Sequence, residues 1–314
     1  MTVRKWKVGV GLVLGMVMAG LLNWLAYAPV VAQPLSDLLP KEAIAPTQIN
    51  DLKEIGTNLD GFIPNKLQEV ESPIGQDRAV IGTDQRLPML SREYPWSTVG
   101  KIVMIGELGK EYSCTGTLIS KSLVLTNAHC VYEKNKFFGR IFFLPNLING
   151  RLRTRADVAI VKNIFTGTKN PALESEDDWA ILELDKPLGN KYGFLKWRSV
   201  PLAVLKNAKN KISVAGYSGD YPDPKIYRNL TTGKGNTAGV HWQCSILGET
   251  DGMLVHDCDT NSGASGSALI SKIDGAYHIV GLHAAGRKDR RGRGIENYAV
   301  RISRIEAALS KGNR

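Results

Sequence analysis

The 314-residue sequence has no internal repeat and no low-complexity tract, so solenoid and collagen-like architectures are excluded. It has four cysteines, and no two stand at C-x-x-C spacing, which argues against a structural zinc site. It also lacks zinc-finger spacing, an aromatic RNA-binding motif and a glycine-rich phosphate loop. The net charge of +10 therefore reads as a soluble protein of high pI, with no nucleic-acid partner expected. Residues 1–32 carry no acid. Hydrophobic residues make up 43% and charged residues 22%, enough to bury a sizeable core.

The first thirty-two residues follow the order of a secretory signal: basic Arg4, Lys5 and Lys7, an apolar run from Val8 to Leu25, then small residues ending at Ala32. Cleavage after Ala32 is expected, and an uncleaved membrane anchor is the alternative. Either route exports the body, so a secreted or periplasmic location is expected and the cysteines can be oxidised. Residues 33–78 carry eight acids, four bases and five prolines, and read as a pro-segment or loosely ordered extension. Their charge of −4 faces a remainder of +11, which suggests electrostatic docking.

From about residue 79 the pattern becomes short apolar runs bounded by Gly, Asn, Asp and Pro. Lys101–Ile105, Ser122–Thr126, Asp157–Val161, Lys211–Ala215, Ser267–Ile270 and Tyr277–Leu282 are of strand length. Many such strands imply an all-β sandwich or barrel. Ile302, Ile305, Ala308 and Leu309 recur at helical spacing, predicting a short helix over residues 301–310. Cys114, Cys130, Cys244 and Cys258 are an even set in an exported chain and favour disulfides. Three pairings are possible. Cys114–Cys130 and Cys244–Cys258 are the nearest in sequence, each closing a loop of about 15 residues worth about 3 kcal/mol in the chain-entropy model.

Three strings carry the chemistry: Leu125-Thr126-Asn127-Ala128-His129-Cys130, Asp177-Asp178-Trp179-Ala180-Ile181-Leu182 and Gly263-Ala264-Ser265-Gly266-Ser267. A serine hydroxyl needs a base that titrates near neutrality, and the base needs a carboxylate to fix its tautomer. A glycine before the serine lets a backbone N–H turn toward a developing oxyanion. Each string alone is weak; all three, in the order His, Asp, Ser, are not. An α/β hydrolase needs Gly-x-Ser-x-Gly and a different order, and Ser267 breaks that motif.

These strings resemble those of the chymotrypsin-fold serine peptidases, and most of all the bacterial glutamyl endopeptidase branch. The resemblance covers residues 79–310. It implies two six-stranded antiparallel β-barrels, over 79–195 and 196–314, with a short C-terminal α-helix. It assigns His129 as general base, Asp178 rather than Asp177 as its partner and Ser265 as nucleophile. The amides of Gly263 and Ser265 form the oxyanion hole, and Cys114 bridges to the cysteine after the histidine. Val80-Ile81-Gly82-Thr83-Asp84, Gly216-Tyr217-Ser218-Gly219-Asp220 and Gly281-Leu282-His283 are further matches.

There are departures. Ala264 stands where digestive members carry an aspartate that pairs with a new N-terminus, and Ala268, Ala284 and Ala285 replace common Pro, Ser and Trp residues. Two specificities compete. Asp259 stands where trypsin-like enzymes hold a carboxylate for Arg or Lys. Thr260 and His283 match the pair that binds a Glu side chain, and are favoured because a hydroxyl and an imidazole suit a carboxylate. The loop Arg287–Arg293 reads as a solvated basic loop. Protein or peptide substrates, a monomer, no cofactor and no metal are expected. A catalytically silent binding or adhesion relative is the rival.

Overall fold

The computed structural model describes residues 35–42, 44–49, 61–73, 84–133, 136–171, 175–208, 211–290 and 294–312. The signal segment 1–32, Arg78, Val80 to Thr83, and Arg291 to Arg293 of the basic loop lie outside them. Among the described residues, strands dominate and helices are few.

Eighteen strands run in chain order: β1 Thr47–Gln48, β2 Arg86–Pro88, β3 Val99–Ile105, β4 Glu111–Leu118, β5 Leu123–Thr126, β6 Tyr132–Glu133, β7 Lys136–Phe137, β8 Arg140–Pro145, β9 Ala159–Thr166, β10 Ala180–Leu184, β11 Lys196–Trp197, β12 Ile212–Gly216, β13 Gly239–Cys244, β14 Ile246–Thr250, β15 Met253–His256, β16 Ala268–Ile273, β17 Ala276–Lys288 and β18 Gly294–Arg301. The α-helices are α1 Gly189–Tyr192, α2 Leu202–Asn207 and α3 Ile302–Gly312.

The first barrel closes through the antiparallel pairings β3–β4–β5–β10–β9–β8 and back from β8 to β3. Closure removes free sheet edges and encloses a core of Ile102, Leu118, Val124, Ile141, Phe143, Ile164 and Leu182, all fully buried. Gly100 is required there: a Cβ at that position would lie 2.4 Å from the Phe143 ring. The expected strand at Asp157–Val161 starts later, because a 3-10 turn capped by Thr154 occupies Arg155–Asp157.

The second sheet runs β14–β15–β18–β17–β16–β12–β13. Its two end strands are consecutive in the chain, with only Ser245 between Cys244 and Ile246, so one bent strand closes the path. β2 adds to β13, and β11 lies parallel to β17. Helix α3 buries Ile302 and Ile305 against the larger core cluster, with Ala308 and Leu309 half-buried, which matches the spacing read from the sequence. The chain thus has the chymotrypsin-like fold expected from the resemblance.

Parts of the acidic extension pack on this body. Thr47 and Gln48 pair with Asn163 and Ile164 of β9. Phe62 bridges to Phe194 with the rings stacked at 5.5 Å, and Leu67 is buried. Val70 N donates to Tyr94 O, and the Pro73 carbonyl accepts from the amides of Leu90 and Ser91. Among the described residues of this stretch, Glu69 and Glu71 lie 2.7 and 3.9 Å from Lys272.

Candidate active site

Register in the first barrel brings the first two strings together. Thr126, at the end of β5, is paired with Ala180, at the start of β10. The residues just beyond, His129 and Asp178, therefore meet. The carboxylate of Asp178 is fully buried and takes two bonds from His129, from the backbone N–H at 2.9 Å and from Nδ1 at 2.7 Å. Asn127 Nδ2 donates to the Asp178 carbonyl at 2.7 Å, which anchors the aspartate's own backbone. The neighbouring Asp177 faces elsewhere and is forked by Arg304 of α3 at 2.7 and 2.8 Å. One carboxylate thus meets an imidazole and the other a guanidinium.

Ser265 sits in a tight turn before β16. Gly263 (φ 95°) and Gly266 (φ 84°) lie in the left-handed region, where glycine alone is unstrained. A Cβ at Gly263 would lie 2.4 Å from the Tyr217 carbonyl, and one at Gly266 would lie 2.2 Å from the Thr115 carbonyl. The turn is stitched to both barrels: Thr115 N donates to Ser265 O, Gly266 N to His283 O, and His283 N to Ser267 O. The Cys114–Cys130 disulfide, directly after His129, lies against the Ser265 carbonyl with Sγ at 3.8 Å. Cys244–Cys258 is the second disulfide.

His129, Ser265, Gly263, Asp259, Thr260 and His283 all line one cleft of about 930 Å³. The Ser265 hydroxyl bonds the Ala284 carbonyl at 3.5 Å rather than His129, and rotation about a single side-chain torsion moves it. The Ser262 carbonyl accepts from Gly219 N at 2.7 Å. In a trans peptide the following N–H points the opposite way, so that of Gly263 is directed away from the Gly219 loop. Among the described residues, the amides of Gly263 and Ser265 donate to no protein acceptor.

Asp259, Thr260 and His283, expected to set specificity, have partners that the sequence did not reveal. Asp259 is engaged within the cleft wall: its carboxylate accepts from Gln85 N at 3.0 Å and lies 3.4 Å from His241. Thr260 Oγ1 donates to Asn297 Oδ1 at 3.1 Å, while Asn297 Nδ2 donates to Cys258 O at 2.8 Å. His283 is fully buried beside His256, with Nδ1 3.2 Å from His256 Nε2. His256 Nδ1 accepts from Cys258 N at 3.3 Å, so its proton is on Nε2 and is given to His283. The His283 proton is then on Nε2. Burial first, and then the nearby His129, push the His283 pKa down to about 3, so the ring is neutral at physiological pH. Burial also holds His256 well below the ordinary histidine range. Asn297 and His256 carry no local motif; both are set by pairing of β15 and β18 across the sheet.

Two antiparallel barrels with this cleft define a chymotrypsin-like serine protease domain. The Trypsin family model matches residues 91–308, and the chain belongs to that family. The chain is 28% identical over 222 residues to "Serine protease 23" of Bos taurus, covering 62% of this chain and 52% of that protein. It is 24% identical to "Inactive serine protease 35" of Bos taurus, covering 76% and 67%. It thus spans about half the length of the serine protease 23 relatives. Among solved structures, a Glu endopeptidase in complex with MPD is 25% identical with a TM-score of 0.55, covering 75% of this chain and all of that one. A protease from Arthrobacter nicotinovorans shares 15% identity with a TM-score of 0.52, and shows the fold alone. The glutamyl branch fits the first of these likenesses. No helix among the described residues is long and apolar enough to cross a membrane.

Proposed function

We propose that the protein is a secreted serine endopeptidase that works through an acyl-enzyme, with His129, Asp178 and Ser265 as its triad. The observation that carries this reading is the buried Asp178 carboxylate holding both the backbone and the ring of His129. With Nδ1–H given to Asp178, the free Nε2 is the basic nitrogen. It takes the Ser265 proton as Oγ attacks the scissile carbonyl. The negative oxygen that forms is bound by the amides of Gly263 and Ser265, two donors with no competing acceptor. His129 returns the proton to the leaving amine, the acyl–serine ester remains, and water reverses the sequence to release the acid.

Acidic side chains fit the pocket better than basic ones. A basic side chain would need a free carboxylate, and that of Asp259 is engaged by Gln85 and lies beside His241. The donors of His283 and Thr260 are held by neutral acceptors, the Tyr298 backbone carbonyl and the Asn297 side chain. A substrate carboxylate displaces such acceptors, because charge-assisted bonds are about twice as strong. The likeness to a Glu endopeptidase supports the same preference.

A second reading, a silent binding relative, is motivated by likeness to proteins named inactive. One experiment addresses both: fluorophosphonate labelling of the exported protein and of Ser265→Ala, followed by a peptide-library digest. Labelling of the wild type alone, with cuts after Glu or Asp, is expected. Cuts after Arg or Lys would overturn the acidic preference, and an unlabelled, inactive wild type would favour the silent relative.

A further inference from the structure

Arg86 on β2 is buried, at 6% exposure, yet it lies outside the triad and the pocket pair. Its guanidinium meets two carboxylates. Nε and Nη2 donate to Asp84 at 2.9 and 2.6 Å, and Nη1 and Nη2 donate to Asp220 at 2.9 and 3.0 Å. The same group lies over the Tyr221 ring, 4.8 Å from its centroid. Asp84 alone would neutralise Arg86, so the second fork has a different consequence: it fixes Asp220.

Asp220 leads to the nucleophile loop by short steps. Its Oδ2 accepts from Asn261 Nδ2 at 2.8 Å. Asn261 Oδ1 accepts from Ser262 N at 2.8 Å, and the Asn261 carbonyl accepts from Ala264 N at 2.9 Å. Gly219, the residue before Asp220, donates to the Ser262 carbonyl. Both ends of the Ser262–Gly263 approach are thus tied to the loop that Arg86 grips. Burial opposes ionisation of Asp220, but the bonds from Arg86 and Asn261 and the charge of Arg86 outweigh it and hold the carboxyl below its ordinary range.

We propose that Arg86 is a positioning residue: through Asp220 and Asn261 it holds the Ser262–Gly263 peptide with its N–H facing the oxyanion position. The proposal rests on the peptidase reading and deepens it. A peptide that rotated by half a turn would aim the Ser262 carbonyl at that position and repel a developing oxyanion. The clamp consists wholly of side chains and amides inside the chain. Ala264, buried beside Ser265, offers no carboxylate to a chain end. The clamp therefore needs no newly liberated N-terminus.

The test uses the full exported chain as wild type, Arg86→Met, Asp220→Asn and Asn261→Ala, with active sites counted by fluorophosphonate. A loss of about 100-fold in kcat with KM changed by less than about threefold is expected for Arg86→Met and Asn261→Ala, because the held amide acts on the transition state. A double variant combining Arg86→Met with Asn261→Ala should be no worse than the more impaired single variant, since both cut one chain of bonds. Arg86→Lys should recover part of the loss. Should Arg86→Met fail to fold, Asp220→Asn and Asn261→Ala carry the decision. Folded variants that all keep kcat within about threefold of wild type would overturn the clamp while leaving the peptidase reading intact. A wild type that neither labels nor cleaves would overturn that reading, and the clamp with it.

Discussion

The two sides of the cleft are built by different means. On the first-barrel side, His129 and Asp178 follow directly from the β5–β10 register, and the contact between them is sealed from water. On the second-barrel side, Ser265 stands on a turn with two left-handed glycines, and that turn is held by bonds from Thr115, 148 positions before Gly263 in the chain. A register is enforced by every rung of a ladder, and a loop only by the few bonds that reach it. The His129 side should accordingly be robust in shape and intolerant in chemistry. The Ser265 side should be sensitive in shape.

Asp178→Asn gives the largest expected effect. The fold should persist, because the amide oxygen can still accept one of the two bonds, but the imidazole tautomer is lost. A fall of about 10⁴-fold in kcat is expected from steady-state peptide hydrolysis. A variant within about tenfold of wild type would show that the buried carboxylate does not govern the base.

Gly263→Ala sharpens the contrast from the other side. It adds one methyl in a left-handed turn, 2.4 Å from the Tyr217 carbonyl. A loss of about 10²–10³-fold in kcat is expected, of the size seen when one oxyanion donor is removed. Near-normal kcat in a folded Gly263→Ala protein would mean that the loop's shape is less demanding than its two glycines imply.

The smallest effect concerns stability. His283 stays neutral in the folded protein down to about pH 3, whereas an unfolded histidine takes up a proton near pH 6.5. Between those values the unfolded chain binds more protons, so stability falls as the pH falls. The slope is about 1.4 kcal/mol per pH unit for one such group. His256 acts in the same direction. Thermal melts from pH 7 to pH 4 should show a declining midpoint, with a shallower decline in His283→Gln. A flat wild-type profile would show that burial of the histidine pair is not coupled to folding.

Much of this was legible from residue order. Strand runs, the terminal helix and the three strings around His129, Asp178 and Ser265 are local patterns, and local patterns survive in a one-dimensional reading. The links among Arg86, Asp220 and Asn261 were not legible, because nothing in their spacing marks them as neighbours. Asp259 illustrates the limit: its position suggested a pocket carboxylate, yet a backbone amide from Gln85, just before the strand added to the sheet's edge, bonds it. Asn297 likewise reaches Thr260 only through the β15–β18 pairing. The sequence could show which groups were present, but not which of them were already taken.

The Phe62–Phe194 stack and the buried Leu67 bear on how this protein should be produced. A recombinant version begun at Ala79 would omit these residues and strip cover from Tyr94 and Phe194, inviting aggregation. By contrast, a backbone nick introduced between residues 73 and 84 would sever no contact made by residues 61–73. Its two polypeptides should elute together on a sizing column and part only in denaturant.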